Sequence, residues 1–243
     1  MRSSQRDPNS GEMTASSIEQ PHRKLGRPLA FSVEARRLHL FDAAEAVFQN
    51  HGYAAASVDE ISRVAGMSKA TIYRWFASKE ALFSGLLEHR ATEILESCPT
   101  VEEGCPPAVA LEIFLRHAAR AALSPRIVGL LRLAISEARH SPAVAQSFHK
   151  KVVERCQLVI VRLLAQNPGL LARNRRLVGE EDALYQIASL LYGAAITELQ
   201  LRMLLGFEGA SSSLIDERIR QSLAAFFPEM NQGQTAWSQQ CCR

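Results

Sequence analysis

Apolar residues recur every three or four positions along almost the whole chain from Phe31 onward. No stretch alternates apolar and polar residues for more than a few positions, which argues against the strands of a half-buried sheet. Helix-breaking residues follow one another at helix-length intervals. They are Gly52, Gly66, Ser78, the segment Pro99 to Pro107, Ser124-Pro125, Ser141-Pro142, Pro168-Gly169, the segment Gly206 to Gly209, and Pro228. We therefore predict an all-α protein of about nine helices.

Serines mark the predicted helix starts. Ser57 to Glu60 has the spacing of a capping box, in which the serine hydroxyl accepts the third helical amide and Glu60 reaches back to the serine. Ser124 and Ser141 each precede a proline, which is favoured at the first helical position because an amide there would have no partner. We expect each of these serines to cap a helix.

Composition excludes several classes of protein. The 243 residues are 47% hydrophobic and 22% charged, as in ordinary globular proteins. No apolar run approaches the roughly eighteen residues of a membrane span, and the first residues lack the apolar core of a secretory signal. The five cysteines do not suggest a disulfide framework, so we interpret them as reduced thiols in a cytoplasm. A net charge of +3 does not by itself indicate a nucleic-acid binder.

Two short helices, over about 58–64 and 69–76, are joined at Ala65-Gly66-Met67 and follow a longer helix over about 33–51. Neither short helix is expected to be stable alone in water, so both need a supporting core. Ile61 and Ile72 fall where a helix-turn-helix places buried apolar residues, and Gly66 suits a turn position with positive φ. The pattern therefore predicts a three-helix, helix-turn-helix unit near the start of the chain.

The second short helix of this unit has a polar face. If Ile72 and Phe76 point into the core, then the other faces carry Lys69, Ala70, Thr71, Tyr73 and Arg74. A lysine can donate to guanine and an alanine can contact a thymine methyl group, while hydroxyls suit phosphates or base edges. We expect these residues, with Ser68, to meet DNA in the major groove. The alternative for Tyr73 and for Trp75 is that they are partly buried aromatic residues.

Lys79 and Ser57 are placed at helix starts where a phosphate could bind. Lys79 lies in the first turn of the next helix, where a cation is unfavourable by roughly 0.3–1 kcal/mol. A DNA phosphate at that helix N-terminus would turn this cost into attraction. Ser57 caps its own helix and could also meet a phosphate. We therefore add both residues to the predicted DNA contacts.

The stretch from Ala35 to Leu87 resembles the DNA-binding domain of the TetR (tetracycline-repressor) family. The matching positions are Ala43-Ala44, Phe48, Gly52-Tyr53, Ser57-Val58, Ile61, Ala65-Gly66, Ser68, Tyr73, Phe76 and Lys79-Glu80. The later stretch from Arg132 to Lys151 looks like the AcrR/AefR-like branch of the family.

The resemblance implies a homodimeric, all-helical transcriptional regulator, usually a repressor, that binds a palindromic operator in double-stranded DNA and is released by a small, often apolar effector. It implies that Lys69 and Ala70 read bases and that Tyr73 contacts a base or a phosphate. Phosphate contacts are implied for Ser57, Thr71, Trp75 and Lys79. The basic segment Arg23 to Pro28 looks like the arm that some members place in the minor groove, although a solvated tail is equally compatible with it.

The C-terminal half is predicted to form the effector-binding and dimerisation bundle. We expect its last two helices to pair with their copies in a four-helix interface, with intrachain core as the alternative. The predicted interface residues are Leu184, Ala188, Leu191, Ala195, Ile215, Ile219, Leu223 and Phe226. The predicted effector pocket is lined by Leu87, Phe114, Leu115, Leu131, Ile135 and Phe148, with His117 as a polar anchor.

No metal site and no cofactor are expected. Glu137 and His140 have the Glu-x-x-His spacing of helical di-metal sites, but such sites need a second inward-facing pair. The other copy, Glu19 to His22, falls in the polar N-terminal tail. No phosphate-binding loop, nucleophile elbow or cysteine-pair zinc spacing is present.

The predicted organisation is a tail over 1–31, the DNA-binding domain over 32–94 with its helix-turn-helix at about 57–76, the C-terminal domain over 95–227, and a tail over 228–243. The function that fits best is a ligand-responsive, cytoplasmic DNA-binding repressor with no membrane partner. Two alternatives remain. One is a DNA-binding protein without a ligand that acts through protein partners, and the other is a helical-bundle enzyme, which the absence of catalytic motifs disfavours.

Overall fold

The computed structural model describes residues 32–101, 104–166 and 183–228, and within them the chain forms nine helices, the first of which is kinked at Gly52, where φ is +76. The first six are α1 (Val33–Ala55), α2 (Val58–Val64), α3 (Lys69–Trp75), α4 (Lys79–Glu96), α5 (Pro107–Ala122) and α6 (Pro125–Glu137). The prediction of an all-α fold is confirmed. The predicted tails, with the Arg23 to Pro28 arm, lie outside the described residues apart from Pro228.

Two of the last three helices contain a π-helical turn. Helix α7 runs through Pro142–Phe148, the π-helical turn His149–Val153 and Glu154–Ala165. Helix α8 runs through Ala183–Tyr192, the π-helical turn Gly193–Thr197 and Glu198–Leu204, and α9 is Ser212–Phe226. In the part of the chain that the structure describes, none of these helices combines the length and apolar character needed to cross a bilayer.

Serine caps begin most of the helices, as predicted, with one exception. The hydroxyls of Ser57 and Ser124 accept the amides of Glu60 and Ile127 at 3.1 and 3.3 Å. Ser141, however, makes no side-chain capping bond, so its predicted capping role is wrong. The proline that follows it still occupies the first helical position.

The other half of the predicted capping box also differs. The carboxylate of Glu60 lies 3.3 Å from His51 Nε2 and 3.6 Å from Arg63 Nη2. Glu60 therefore contacts His51 of α1 and Arg63 of its own helix instead of closing the box on Ser57.

The first of two main apolar cores lies among α1 to α4, which are called the head below, and extends into α6 and the first half of α7. Its large members are Leu40, Phe41, Val47, Phe48, Ile61, Ile72, Leu82, Phe83, Leu86 and Leu87 from the head, Ile127, Leu130 and Leu133 from α6, and Val144, Phe148 and Val152 from α7. The packing is therefore continuous across residue 94, the predicted end of the DNA-binding domain.

The second core fills the bundle of α5, the second half of α7, α8 and α9. Its large members are Leu111, Phe114, Leu115, Ile160, Leu164, Ile187, Leu191, Ile196, Leu199, Ile215, Ile219 and Leu223. Helix α7 serves both cores because its buried residues are spaced four apart, which rotates the buried face by about 40° at each step in an α-helix. Val144, Phe148 and Val152 face the first core, while Cys156, Ile160 and Leu164 face the second.

A charge cluster joins the head to α6, and we call it the Arg90 cluster. Arg90 on α4 is 3% exposed and donates to Glu45 at 2.8 Å, Asp42 at 2.6 Å and Glu93 at 2.8 Å. Arg126 on α6 binds the same Glu45 and Asp42 at 2.8 and 2.9 Å. Two carboxylates of α1 are thus shared by arginines from two other helices.

Candidate nucleic-acid interface

Helix α3 is held by one buried side chain and one cap. Ile72 is 1% exposed and packs into the first core. The Ser68 hydroxyl accepts the Thr71 amide at 3.1 Å and shares a hydrogen bond with the Thr71 hydroxyl at 2.9 Å. A helix of this length is not stable alone, so these contacts determine where its outer face lies.

The turn before α3 depends on a glycine. Gly66 has φ +60, and a Cβ built there would meet no atom within 4 Å. The glycine is therefore required for its backbone conformation and not for lack of space. The Gly66 and Met67 amides donate to Arg63 and Ser62 carbonyls of α2, which couples the two short helices.

The outer face of α3 carries most of the predicted DNA-contacting residues. Lys69, Ala70, Tyr73 and Arg74 are exposed, and Tyr73 is 50% exposed although it is aromatic. The Lys69 ammonium pairs with the Asp59 carboxylate of α2. Arg74 forms no ion pair with any described residue. The face thus presents a ring, a methyl group and two cations side by side.

Trp75 and Phe76 are turned further inward. Both are partly buried and pack against the first core. A Cβ on Gly85 of α4 would lie 2.6 Å from a Phe76 ring carbon, so this glycine lets α4 approach the end of α3 closely. The Trp75 indole is therefore divided between core packing and the surface, which the sequence left open.

Lys79 has a different environment from the one predicted. Its ammonium donates to the carbonyls of Tyr53 at 2.7 Å, Ala56 at 3.0 Å and Ala54 at 3.3 Å, and it lies 4.4 Å from the centre of the Tyr53 ring. The prediction that this cation is unfavourable in the DNA-free protein is wrong, because three carbonyls at the end of α1 already accept its protons. Its predicted phosphate contact stays a prediction. Lys79 joins the start of α4 to the end of α1.

Charged side chains also join α4 to α7. Glu88 on α4 is bound by Lys151 and, at 2.6 Å, by Arg155. The Lys151 ammonium, together with Arg155, holds the pKa of the Glu88 carboxyl below its ordinary value. Together with the Arg90 cluster, this contact fixes the head against α6 and α7 through residues near the middle of α4.

Sequence reasoning missed the Arg90 cluster. Burial alone would raise the pKa of Asp42, but Arg90 and Arg126 hold it below its ordinary value. One signal was available: Glu45 is an acidic residue four positions after Phe41, on the apolar face of α1. A carboxylate on such a face requires a buried partner.

The residues predicted to line one effector pocket do not lie together. Leu87, Leu131 and Phe148 pack in or against the first core, whereas Phe114 and Leu115 belong to the second. Ile135 is 54% exposed. The predicted pocket is therefore wrong as a set, because α4 lies in the head with α6 packed against it, while α5 packs in the second core with α8 and α9.

His117 and the acidic groups show no ligand-binding arrangement. The His117 Nε2 lies 2.6 Å from the Ile94 carbonyl and 3.4 Å from the Ser97 hydroxyl, so it ties α5 to the end of α4. Glu137 is buried at the end of α6 and His140 is exposed in the following turn. Among the described residues, no three histidine, cysteine or acidic side chains are grouped as metal ligands.

The residues predicted for the dimer interface are used inside the chain. Most are at most 5% exposed, and the remaining two pack against the same second core. The residues that were wrongly predicted to lie at the dimer interface are Leu184, Ala188, Leu191, Ala195, Ile215, Ile219, Leu223 and Phe226. The physical reason is that α5 and α7 cover this face, which the intrachain alternative anticipated.

An exposed short helix, a glycine turn and a supporting three-helix core together define a helix-turn-helix protein. The profile for "Bacterial regulatory proteins, tetR family" matches residues 40–86, which is the head from within α1 to within α4. The head is therefore similar to this family of bacterial regulatory proteins. The AcrR/AefR-like branch stays a prediction.

Curated relatives match in the same region. The HTH-type transcriptional repressor SCO4008 of Streptomyces coelicolor is 36% identical over 66 residues, 27% of this chain and 34% of the relative. The HTH-type transcriptional activator FasR of Mycolicibacterium smegmatis is 39% identical over 62 residues, 26% of this chain and 28% of the relative. The alignments thus span about a third of these relatives' own length.

Solved structures extend the likeness beyond the head. The Flavonoid-responsive Regulator FrrA superposes with a TM-score of 0.63 at 26% identity, covering 81% of this chain and 97% of that one. The arrangement of the C-terminal bundle is therefore shared with a regulator of the same fold.

Proposed function

We propose that the protein is a homodimeric transcriptional repressor that binds a palindromic DNA operator in the cytoplasm and is released by a small, apolar effector. The observation that carries the proposal is the outer face of α3. It exposes Lys69, Ala70, Tyr73 and Arg74 while Ile72 holds the helix to the core. Such a face fits the major groove of DNA, which admits an α-helix.

The proposed contacts divide by chemistry. Lys69 and Ala70 would read base edges, with the Lys69 ammonium exchanging Asp59 for guanine acceptors. Tyr73, Arg74, Thr71 and the capping serines Ser57 and Ser68 would contact the backbone. Trp75 would contribute only the exposed part of its ring. Lys79 would act mainly by holding α4 against α1, with any phosphate contact secondary.

The dimer interface is proposed on the outward face of α8. Leu190, Ala194, Leu201 and Leu205 are exposed and recur at helical spacing opposite the buried Ile187, Leu191 and Ala195 face. Leu205 is 68% exposed and extends this stripe, and contiguous exposed apolar surface of this kind marks interaction sites. A second copy of the same helix would cover this stripe about a two-fold axis.

The relatives' names support regulation but differ in its direction. SCO4008 is a repressor and FasR is an activator. Our proposal that this chain represses transcription follows the similarity to SCO4008. The name of FrrA states a response to flavonoids, which supports a small-molecule effector here. The C-terminal bundle is where such a ligand would act.

Footprinting on the DNA upstream of the protein's own gene tests the proposal. We expect protection of a palindrome with two half-sites about one helical turn apart, because two symmetric heads contact one face of the duplex. Binding to random DNA with equal affinity, or no binding at moderate salt, would contradict the DNA-binding function. A flavonoid panel added to the complex tests ligand response, and retention of DNA with every compound would favour the ligand-independent alternative.

Variants of the α3 face test the placement of the interface. Tyr73→Ala should weaken operator binding at least tenfold, about 1.4 kcal/mol, without unfolding, because the ring is half exposed. Lys69→Ala should relax sequence preference more than it weakens binding to random DNA. Leu158→Ala, a comparably exposed residue on α7, is the matched control. Operator affinity unchanged by Tyr73→Ala would argue against this surface.

A further inference from the structure

A cleft of about 600 Å³ lies between the first turns of α1 and the turn of the helix-turn-helix. Its lining residues are Ala35, Arg36 and His39 from α1, and Ala65, Gly66, Met67, Ser68 and Thr71 from the turn and α3. It therefore adjoins the N-terminal end of the helix proposed to read bases. None of the predicted DNA contacts included a residue of α1.

The polar groups of this cleft are suited to an acceptor. None of its eight lining residues is acidic, and the Arg36 guanidinium and the His39 imidazole both lie at its wall. The Ser68 and Thr71 hydroxyls share one hydrogen bond, which uses one of their two protons. The second hydroxyl proton remains available to donate to a ligand, because the bond between the Ser68 oxygen and the Thr71 amide uses the proton of the amide. Such a set of groups favours an anion.

Most other cations of the head already have partners. Lys69 pairs with Asp59, Arg63 pairs with Glu60, and Lys79 binds the carbonyls at the end of α1. The Arg37 guanidinium lies 5.5 Å from the centre of the Phe41 ring and 5.8 Å from that of Phe76.

The Arg36 side chain differs from these. It forms no ion pair, hydrogen bond or ring contact with any residue that the structure describes, and it is exposed. Arg74 is the other arginine among the described residues of the head that lacks such a contact, and it was already among the predicted DNA contacts.

We propose that this cleft binds a phosphodiester of the operator backbone, with Arg36 as the charged ligand and His39 and the Ser68–Thr71 hydroxyl pair as hydrogen-bond donors. The site rests on the proposed DNA-binding function. A phosphodiester within a DNA strand suits the cleft better than a free anion does, because the volume of the cleft exceeds that of a single anion. The additional space allows sugar atoms of the strand to lie against Ala35, Ala65 and Met67. Gly66 leaves open space above its backbone, which lets the strand approach.

The site would fix the angle of the recognition helix. A phosphate held between α1 and the turn lies on one side of α3, and the contacts of Tyr73 and Arg74 lie further along the same helix. Anchoring at both ends positions the helix in the groove, whereas base contacts alone would leave it free to roll. Arg36 would therefore contribute affinity on every sequence and no sequence preference of its own.

The test is the salt dependence of operator binding by the full-length protein. Each phosphate contact contributes about 0.9 to the slope of log affinity against log salt. Arg36→Gln should reduce the slope by about that amount and weaken operator and random DNA by the same factor. Arg36→Lys should retain most of the slope. Arg162→Gln, which removes an exposed arginine from α7, is the charge-matched control and should leave the slope unchanged.

The outcomes separate this site from the function on which it rests. If the wild-type protein binds no operator, the proposed function fails. If it binds and Arg36→Gln has the wild-type slope, the cleft assignment alone is overturned. Calorimetry of the DNA-free protein with inorganic phosphate distinguishes the source of the anion. Phosphate binding that Arg36→Gln abolishes, with the salt slope unchanged, would assign the cleft to a free ion and overturn the DNA contact.

Discussion

The position of Lys79 in the first turn of α4 was predicted correctly, but the groups that its ammonium binds were not. It occupies the first turn of α4, where the macrodipole disfavours a cation. Its four-carbon stem spans the gap to the last turn of α1, where three carbonyls accept its protons. A helical wheel describes only the helix on which a residue lies. The partner of Lys79 is on another helix, and no local pattern could reveal it.

Lys79→Met should destabilise the protein by about 1.5–3 kcal/mol, because charge-assisted hydrogen bonds to partly buried carbonyls are lost. Urea unfolding followed by circular dichroism measures the change. Lys150→Met, at an exposed lysine in the π-helical turn of α7, is the control and should change stability little. Equal stability of Lys79→Met and the wild type would show that the carbonyl contacts contribute nothing.

The candidate interface was more predictable than its supports. Ser68, Lys69, Ala70 and Tyr73 follow from the spacing around Ile72, because one buried residue on a two-turn helix determines the opposite face. Arg36 did not follow, since it lies on α1 and its nearness to the turn before α3 depends on how these helices pack. Which cations are free depends on ion pairs between helices, and these appear only when the helices are packed.

Helix α8 illustrates the limit of periodicity for a whole element. It is apolar on nearly every side, with Ile187, Leu190, Leu191, Ala194 and Ala195 within nine positions. The spacing of apolar residues cannot distinguish between two apolar faces of one helix, so the face that is buried inside the chain was predicted to be the dimer interface. The burial of its residues distinguishes the faces: α5, α7 and α9 pack on one face of α8 and leave the other to solvent.

Substitution on the outward face of α8 tests the proposed dimer interface. Leu201→Glu should convert the dimer to monomer, because it places a charge in the middle of an apolar stripe and costs nothing to the isolated fold. Sedimentation equilibrium measures the mass, and circular dichroism confirms that the monomer stays helical. Leu158→Glu, at an exposed leucine on α7, is the matched control and should remain dimeric. A dimeric Leu201→Glu protein would place the interface elsewhere.

Charged groups join the head to α6 and α7. The Arg90 cluster links α1, α4 and α6, and Glu88 links α4 to α7 through Lys151 and Arg155. A change in the C-terminal bundle that moves α6 or α7 must break or carry these contacts. Together with the apolar packing of the first core, they connect the head to α6 and α7.

The same contacts predict a loss of stability in acid. The pKa values of Asp42 and Glu88 are lowered in the folded state, so their contribution is complete above the ordinary values of 3.8 and 4.5 and is lost as pH falls through the lowered values. Asp42→Asn should therefore be less stable than the wild type at neutral pH, and the difference should close as the pH falls. Urea unfolding at several pH values measures this, and a difference independent of pH would contradict the assignment.

The fold was predictable to the level of helix number and order because breakers and serine caps are local signals. The π-helical turns and the division into two cores were not, since they depend on how α7 rotates as it passes from one core to the other. The ion pairs of the Arg90 cluster were also not predictable, because they too depend on how distant helices pack. Glu45 could be recognised as unusual, but its partners lie 45 and 81 positions further along the chain.

The extension of the first core into α6 and α7 bears on how such regulators can exchange parts. A chimera that joined this head, cut after α4, to the bundle of a relative would separate Leu86 and Leu87 from Leu130, Leu133 and Phe148. The unit that can be transplanted is therefore discontinuous, since α5 belongs to the other core. Recombination between relatives at the end of α4 would need matching changes on α6, which favours inheritance of the chain as one piece.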